Sequence, residues 1–172
     1  MKKIAILSGK GGTGKTSLSA SLILAFCDKT KVTALDCDVE SPNLNLLMKG
    51  QEVRPPEMVF VDYPRINEEK CNFCGRCARV CNFNAIVIMK KQKKTMIWDD
   101  LCHSCGACLE LCPEKAIEMK PFSVGEVRFN QFQDTQIITG ESDIGKMMPD
   151  PVISKVLSYA SDEGINIIDS PP

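Results

Sequence analysis

Short apolar runs alternate with stretches of helical length near both ends of the chain. An apolar run at residues 3–8 ends in glycines, and residues 18–27 form a longer apolar stretch of helical length. A second apolar run follows at residues 31–35. Residues 41–48 begin with Ser-Pro, which predicts the N-cap and the first turn of a short helix. This β-α-β order predicts a parallel sheet with helices packed on its faces.

The middle of the chain departs from this pattern. Its composition changes at Arg54-Pro55-Pro56 and changes back near Pro121. Helical spacing at residues 153–160 and an apolar run at residues 165–168 then resume the α/β alternation. We therefore expect an insertion inside a discontinuous α/β domain. The predicted domains are residues 1–62 with 122–172 for the α/β domain, and residues 63–121 for the insertion.

The overall composition is that of an ordinary globular protein. Apolar residues make up 44% and charged residues 25% of the 172 residues, and the formal net charge is -1. This balance gives no indication of nucleic-acid binding or of a membrane surface. The first apolar run is too short for a signal peptide or a membrane span. We expect a cytoplasmic protein that binds no nucleic acid and is not stably inserted in a membrane.

A glycine-rich loop follows the first predicted strand and opens the first predicted helix. Its sequence GKGGTGKT, at residues 9–16, fits the pattern G-x-x-x-x-G-K-[ST] in the context that this pattern requires. In such loops backbone N–H groups surround the β-phosphate, the lysine reaches the β- and γ-phosphates, and the hydroxyl ligates Mg²⁺. The predicted nucleotide-binding residues are Gly9, Lys10, Gly11, Gly12, Thr13, Gly14, Lys15, Thr16 and Ser17.

Ten cysteines are unusual for a cytosolic chain, because disulfides are rare in that reducing compartment. Eight of them form two runs with the spacing C-x2-C-x2-C-x3-C, and each run is followed by Ala-Ile at the same offset, as in a duplicated unit. Bacterial two-cluster ferredoxins have this spacing, and the fourth cysteine of each run ligates the other cluster. The predicted ligands are Cys71, Cys74, Cys77 and Cys112 for one [4Fe-4S] cluster, and Cys102, Cys105, Cys108 and Cys81 for the second.

Some side chains near the cysteines allow more than one interpretation. Zinc is the competing metal, although zinc sites usually take two cysteines from each knuckle. Gly75 and Gly106 are expected where the backbone approaches sulfur, and His103 is expected to be an exposed loop residue. Cys27 and Cys37 are expected to pack as small hydrophobes. A basic turn is expected to be an exposed hairpin tip or a docking patch for an acidic redox partner; it contains Lys90, Lys91, Lys93 and Lys94.

The phosphate loop resembles that of the MinD/ParA family of P-loop ATPases, whose variant KGGxGKT matches residues 10–16. The resemblance implies that Lys10 reaches a phosphate across a nucleotide-bridged dimer. It implies that Asp38 orients or deprotonates the attacking water, while Asp36 lies nearer the magnesium ion and Asp169 resembles the Walker B aspartate. Asp36 or Asp38 could instead cap the segment that follows. The predicted catalytic residues are Lys10, Lys15 and Asp38, and the predicted magnesium ligands are Thr16, Asp36 and Asp169.

Residues 170–172 resemble the start of the segment known as the second switch in this family. The family's sequence pattern continues beyond that segment. We therefore expect this chain to be a piece of a longer protein that by itself hydrolyses ATP poorly. If the natural protein ended at residue 172, its last strand, at residues 165–168, would be expected to form an unfinished sheet edge with uncovered apolar neighbours.

Together the two halves resemble MinD-superfamily ATPases with an inserted ferredoxin domain. The expected fold is a P-loop NTPase parallel sheet flanked by helices, incomplete at its C-terminal end, with a small α+β bacterial-type ferredoxin insertion. The expected cofactors are two [4Fe-4S] clusters, ATP or ADP, and Mg²⁺. The resemblance suggests that nucleotide binding and hydrolysis are coupled to electron transfer through the clusters. The alternatives are an ATP-dependent iron-sulfur or metallocofactor assembly factor and a simple electron carrier.

The resemblance also indicates the kinds of partner. We expect a nucleotide-dependent homodimer or a heterodimer with a paralogue. We also expect a redox protein, or a protein that accepts a metallocofactor.

Overall fold

The computed structural model describes residues 2–145 and 148–172. The chain divides into two compact units, one made of Met1–Val59, Val124–Asp143 and Pro149–Pro172, and one made of Phe60–Ser123 and Ile144–Met148. In chain order the elements are β1 (Lys2–Ile6), α1 (Lys15–Phe26), β2 (Val32–Asp36), α2 (Leu44–Met48), β3 (Gln51–Ile66), α3 (Arg76–Val80), β4 (Ile86–Met89), β5 (Lys94–Ile97), α4 (Ala107–Glu110), β6 (Ile117–Phe132), β7 (Thr135–Ser142), α5 (Pro149–Leu157) and β8 (Ile165–Asp169).

A six-stranded sheet in the order β1-β8-β2-β7-β6-β3 organises the first unit. Strand β8 pairs in parallel with β1 and with β2, and β2 pairs in parallel with β7. Strand β6 runs antiparallel to β7 over residues 125–132. The predicted α/β class with a mainly parallel sheet is therefore confirmed.

The sheet is covered on both faces near its centre, so all five residues of β2 are buried. On one face, α1 and α2 close an apolar cluster, and each fully buried aliphatic side chain in it contributes about 1.5–3 kcal/mol. On the other face, Val152 and Val156 of α5 pack so close to β7 that a Cβ added at Gly140 would lie 2.8–3.0 Å from them. The cluster under α1 and α2 contains Ile6, Ile23, Val32, Ala34, Leu44, Met48, Ile137 and Ile167.

The second unit has only small apolar clusters of its own. Strands β4 and β5 form an antiparallel hairpin in which Ile86 faces Ile97, and the four lysines at its tip are exposed, as expected. One cluster has only four buried members, of which two are cysteines: Cys77, Ile86, Cys108 and Ile117. In the other cluster, Tyr63 is fully buried, stacks on Phe122 at 4.7 Å and donates a hydrogen bond to Asp99. A core of this size gives little stability unless another interaction adds to it.

Several sequence expectations about these elements were wrong. Helix α2 begins at Leu44, two residues after the expected start, because the Asp36 carboxylate accepts the Leu44 N–H and fixes the helix start there. Strand β8 is not a sheet edge, since it lies between β1 and β2. Strands β3, β6 and β7 were not predicted. The prolines in β3 argue locally against a strand, and for this reason it was not predicted. They are tolerated because β3 is an edge strand of the sheet.

Within residues 2–145 and 148–172, no helix is both long enough and apolar enough to cross a membrane.

Replacing Gly164 by alanine should destabilise the first unit by about 3 kcal/mol, because both its backbone conformation and its surroundings exclude a side chain. Gly164 has φ +71°, and an added Cβ would lie 2.1 Å from the Lys31 carbonyl oxygen. Gly12 is the matched control in the same unit, because it has φ +75° but nothing within 4 Å of an added Cβ. In nucleotide-free protein, urea unfolding followed by circular dichroism should show a loss of about 1 kcal/mol for Gly12→Ala. Equal losses would contradict the close contact at Gly164.

Candidate functional site

The glycine-rich loop joins β1 to α1 and bends through left-handed backbone conformations. Gly12 has φ +75° and Gly14 has φ +87°, and an added Cβ at either would meet nothing within 4 Å. Glycine is therefore required for the backbone conformation and not for lack of space. Gly14 stands at the N-cap of α1, where its carbonyl accepts the Leu18 N–H at 2.9 Å. The loop thus leads directly into the N-terminus of a twelve-residue helix.

A cleft of about 780 Å³ opens beside this loop, a volume typical of small-ligand sites. Seven of the nine predicted nucleotide-binding residues line it, and Gly9 and Lys10 are not among the lining residues. Lys10 is exposed, and its carbonyl accepts a hydrogen bond from the Ser8 hydroxyl. The lining residues are Gly11, Gly12, Thr13, Gly14, Lys15, Thr16, Ser17, Asp38, Val39, Glu40, Ser41, Asn43, Pro149, Asp150, Ile153, Pro171 and Pro172.

The start of α5 contributes to this cleft, which sequence reasoning missed. Helical spacing indicated a helix only from residue 153, whereas α5 begins at Pro149. A signal was available, because a proline at the first helical position followed by Asp150 in the first turn is a typical helix start.

Lys15 and Asp38 line the cleft together. Lys15 is buried, with only 8% of the residue exposed to solvent. Burial raises the pKa of Asp38, and the nearby positive charge of Lys15 opposes that rise. Asp38 therefore binds a proton more readily than an exposed aspartate, which suits a group that positions or deprotonates water.

Asp36 and Asp169 end the neighbouring parallel strands β2 and β8, where they are register partners and fully buried. The Asp36 carboxylate accepts the N–H groups of Leu44 at 3.0 Å and Asp38 at 3.2 Å. It therefore caps α2, as the alternative interpretation held. Burial, and then the charge of Asp169, raise the pKa of Asp36 to about 7 despite these hydrogen bonds.

Asp169 leaves one carboxylate oxygen for another ligand. Its Oδ1 accepts a hydrogen bond from the Ser19 hydroxyl at 3.0 Å, while its Oδ2 is buried with no hydrogen-bond partner among the described residues. The two buried carboxylates at the ends of β2 and β8 supply oxygen donors of the kind that Mg²⁺ prefers. Of the predicted magnesium ligands, only Thr16 lines the cleft itself.

Eight cysteines lie around two small cavities in the second unit. One cavity is lined by Cys71, Cys74, Cys77 and Cys112, and the other by Cys81, Cys102, Cys105 and Cys108. In the structure the fourth cysteine of each run thus lies with the first three of the other run. Among the residues described, no three or more His, Cys, Asp or Glu side chains are arranged to hold a single metal ion.

Backbone N–H groups point at the sulfur atoms of both groups. The N–H of Phe73 donates to Cys71 Sγ at 3.4 Å, and those of Ala85 and Ala116 donate to Cys81 and Cys112 Sγ at 3.3 Å. Such donors stabilise thiolate charge. Four sulfur donors around one cavity, with N–H groups directed at them, are a donor set that fits an iron-sulfur cluster.

Burial disfavours the charged form of the innermost thiols. It raises the pKa of Cys77 and Cys102, and it raises the pKa of Cys108 to about 11. Neighbouring cysteines of the same group add to each rise. These thiols therefore need a nearby positive charge, such as that of a metal, to become thiolates.

Two glycines line the cysteine cavities, one in each. Gly75 and Gly106 have φ +77° and +75° at the N-caps of α3 and α4. This left-handed backbone conformation favours glycine at both positions. His103 is exposed, as expected, and stacks on Phe83 with ring centroids 3.8 Å apart.

The other two cysteines differ in burial. Cys37 is buried, and burial followed by the charges of Asp36 and Asp169 raises its pKa to about 12, so it packs as a neutral side chain. Cys27 is only partly buried and donates to the Leu24 carbonyl oxygen.

Residues 4–166 match the sequence model of the CobQ/CobB/MinD/ParA nucleotide-binding domain. The chain belongs to the CobQ/CobB/MinD/ParA family. This membership confirms the P-loop nucleotide-binding type that the loop sequence indicated, and the phosphate loop lies within the matched residues.

Known relatives of this CobQ/CobB/MinD/ParA domain include proteins with and without an assigned function. The uncharacterized protein MJ0579 of Methanocaldococcus jannaschii is 32% identical over 172 residues, 99% of this chain and 61% of that relative, so the chain spans less than two thirds of its length. The iron-sulfur cluster carrier protein of Salmonella typhimurium is 40% identical over 53 residues, 30% of this chain and 14% of that protein.

A solved structure is also similar. The septum site-determining protein MinD of Pyrococcus horikoshii, complexed with Mg-ADP, aligns with 99% of this chain and 49% of its own, at a TM-score of 0.44 and 21% identity.

The buried carboxyl of Asp36 should make stability depend on pH in protein free of nucleotide and Mg²⁺. Its pKa is about 7 in the folded chain, whereas the ordinary pKa of an aspartate is 3.8. Between these values the unfolded chain releases the proton while the folded chain keeps it. The free energy of unfolding should therefore fall as pH rises from about 4 to about 7, by up to about 4 kcal/mol.

Urea unfolding at several pH values measures this dependence. Asp36→Asn should flatten it, whereas the control Asp28→Asn, at the exposed end of α1, should leave it unchanged. An unchanged slope in Asp36→Asn would show that Asp36 ionises normally in the folded protein.

Proposed function

We propose that this protein binds ATP with Mg²⁺ and couples nucleotide binding and hydrolysis to electron transfer through two [4Fe-4S] clusters. One observation carries the proposal: a phosphate-loop cleft and two four-cysteine cavities occur in one chain. The domain division that goes with it is a nucleotide-binding domain at residues 1–62 and 122–172, with a ferredoxin-like domain at residues 63–121 between its parts.

On the nucleotide side, the proposal gives each cleft residue a task. The backbone N–H groups from Gly11 to Thr16 surround the phosphates, and Lys15 neutralises their charge. The hydroxyl of Thr16 and the free oxygen of Asp169 hold Mg²⁺, directly or through water. Asp38 orients the attacking water. Lys10, exposed at the rim of the loop, reaches the nucleotide of a second subunit in a homodimer or in a heterodimer with a paralogue.

On the redox side, the two groups of four cysteines hold the clusters. Each bound cluster would supply a site that accepts and releases one electron. The N–H groups of Phe73, Ala85 and Ala116 stabilise the thiolate charge, and burial of Cys77, Cys102 and Cys108 limits contact with water. Each group uses all four of its cysteines, which favours permanent clusters and electron transfer with a redox protein in the cytoplasm.

A second candidate is an ATP-dependent iron-sulfur or metallocofactor assembly factor. The similarity to a protein named as an iron-sulfur cluster carrier favours it, although that similarity covers 30% of this chain. In this case the partner would be a protein that accepts the metallocofactor. The simple electron carrier is the remaining alternative, in which the nucleotide only stabilises the protein.

ATP should bind through Lys15 and should change the reduction potentials of the clusters in the full-length protein. Lys15→Ala should weaken ATP binding about 30-fold or more, because it removes charge-assisted hydrogen bonds from a shielded site. The control Ser21→Ala lies on the exposed side of α1 and should bind ATP normally. The measurements are calorimetric titration with Mg-ATP and a redox titration followed by electron paramagnetic resonance.

Three outcomes separate the candidates. Potentials that differ between ATP and ADP support coupling to electron transfer. Identical potentials exclude coupling and favour the simple carrier, whereas transfer of labelled iron to an apo-protein favours the assembly factor.

The crossed arrangement of cysteines predicts a specific pattern of iron loss. Cys81→Ser should remove the cluster held by Cys102, Cys105 and Cys108, about four of the eight iron atoms that two [4Fe-4S] clusters contain. Adding Cys102→Ser should remove little more, whereas adding Cys77→Ser should remove the second cluster as well. Iron and sulfide analysis of anaerobic preparations measures this, with Cys27→Ser as the control. The reverse pattern would show that each run binds its own cluster.

A further inference from the structure

The two cysteine groups are related by the internal duplication, yet their surroundings differ in charge. Aligning the runs from Cys71 and Cys102 places Arg76 opposite Ala107 and Arg79 opposite Glu110. Two positive charges beside one group therefore correspond to a neutral and a negative residue beside the other. The duplication makes this comparison direct, because the aligned positions share the same cysteine spacing and the same helix start.

The hairpin tip adds more positive charge at the first group. A Cβ added at Gly75 would lie 3.7 Å from Lys90 Cε and 3.9 Å from Arg79 Nη1. The side chains of Lys90 and Arg79 therefore both lie next to Gly75, which lines the cavity of the first group. Arg76 lines the same cavity, and Arg79 donates to the Cys74 carbonyl oxygen at 3.5 Å. We name these cations and their neighbours at the tip the basic face: Arg76, Arg79, Lys90, Lys91 and Lys93.

The charges of the basic face are available for a partner. All five side chains are exposed, and none forms an ion pair with an acidic residue in the described part of the chain. Glu114 also lines the first cavity, but its single negative charge is outnumbered by the positive charges of Arg76, Arg79 and Lys90.

The second cavity has no such charges around it. Apart from its cysteines it is lined by Pro64, Phe83, Ile86, His103, Ser104, Gly106 and Ala107, none of which is an acidic residue, a lysine or an arginine. Cys105 is exposed there. Solvent therefore reaches both groups, but of the two cavity linings only the first includes an arginine that can attract a negatively charged molecule.

We propose that the basic face is the docking surface for an acidic one-electron carrier protein, which exchanges electrons with the group at Cys71, Cys74, Cys77 and Cys112. This inference rests on the proposed function. Opposite charges steer diffusional encounter and raise association rates by about 10- to 1000-fold at low ionic strength. Docking there brings the partner next to Cys74, which is partly exposed. One electron leaves the reduced partner and one arrives at the site, with no proton or bond exchanged.

The test uses a plant-type [2Fe-2S] ferredoxin as the acidic carrier, in stopped-flow mixing with the full-length protein in both redox directions. Electron transfer should slow at least about tenfold when salt is raised from about 20 mM to about 500 mM. At low salt, the double variant Arg79→Glu/Lys91→Glu should be about tenfold slower or more. The matched control is Lys29→Glu, an exposed lysine of the nucleotide-binding unit, introduced together with Lys2→Glu to give the same change in net charge.

Calorimetric titration with oxidised ferredoxin gives a second measurement that needs no turnover. Binding should be lost in the double variant at the basic face and kept in the control. Equal effects of the two double variants, or a rate independent of salt, would overturn the docking proposal. It would also be overturned if a single-stranded oligonucleotide bound the basic face while ferredoxin did not.

Reduction by dithionite separates a failure of the docking surface from a failure of the proposed function. If dithionite reduces every variant to the same extent and iron contents are equal, a failure with ferredoxin overturns the docking surface alone. If the protein holds no iron and dithionite reduces nothing, the proposed electron-transfer function and the docking proposal fail together.

Discussion

Parallel pairing of β8 with both β1 and β2 is the constraint on which the nucleotide site depends. The register places Ile6, Asp36 and Asp169 side by side, at the edge where the three strands end. The phosphate loop leaves β1 at that same edge. Ligand sites in open α/β sheets form at the carboxyl ends of the strands for this reason, since loops from separate strands meet there.

The same pairing creates an electrostatic problem that a cation would relieve. Two aspartates at the ends of adjacent strands are buried together, and their mutual repulsion adds to the cost of burial. Asp36 is stabilised in part by two backbone N–H groups, but one oxygen of Asp169 has no partner in the described structure. The site is thus poorly satisfied without a ligand, which is consistent with a role in holding a charged one.

The second unit differs in what can stabilise it, because its apolar clusters are small and include cysteines. If this unit binds the proposed clusters, metal binding and folding would be coupled, since the ligands contribute to the core. The internal repeat supplies two similar cavities, and Arg76 and Arg79 beside the first distinguish them by charge. Symmetry of the cysteine pattern therefore does not imply symmetry of function.

The helices and strands near both ends of the chain could be predicted from the sequence, whereas strands β3, β6 and β7 could not. The phosphate loop, α1, β2 and β8 have strong local signals, and so the nucleotide site could be located from the pattern of residues alone. Strand β3 contains prolines that locally argue against a strand, and only its position at the sheet edge makes it one. Helix α2 begins where the buried Asp36 caps it, which depends on a contact between residues eight positions apart.

By itself the sequence determined the chemistry, because glycine, lysine and cysteine at fixed spacings specify phosphate-binding and sulfur-donor groups within short segments. Only the tertiary structure decided which segments meet. It placed β8 between β1 and β2, brought the start of α5 to the cleft, and set Lys90 beside Gly75. Such contacts join residues far apart in the chain, and their geometry depends on packing and strand register, which no local pattern encodes.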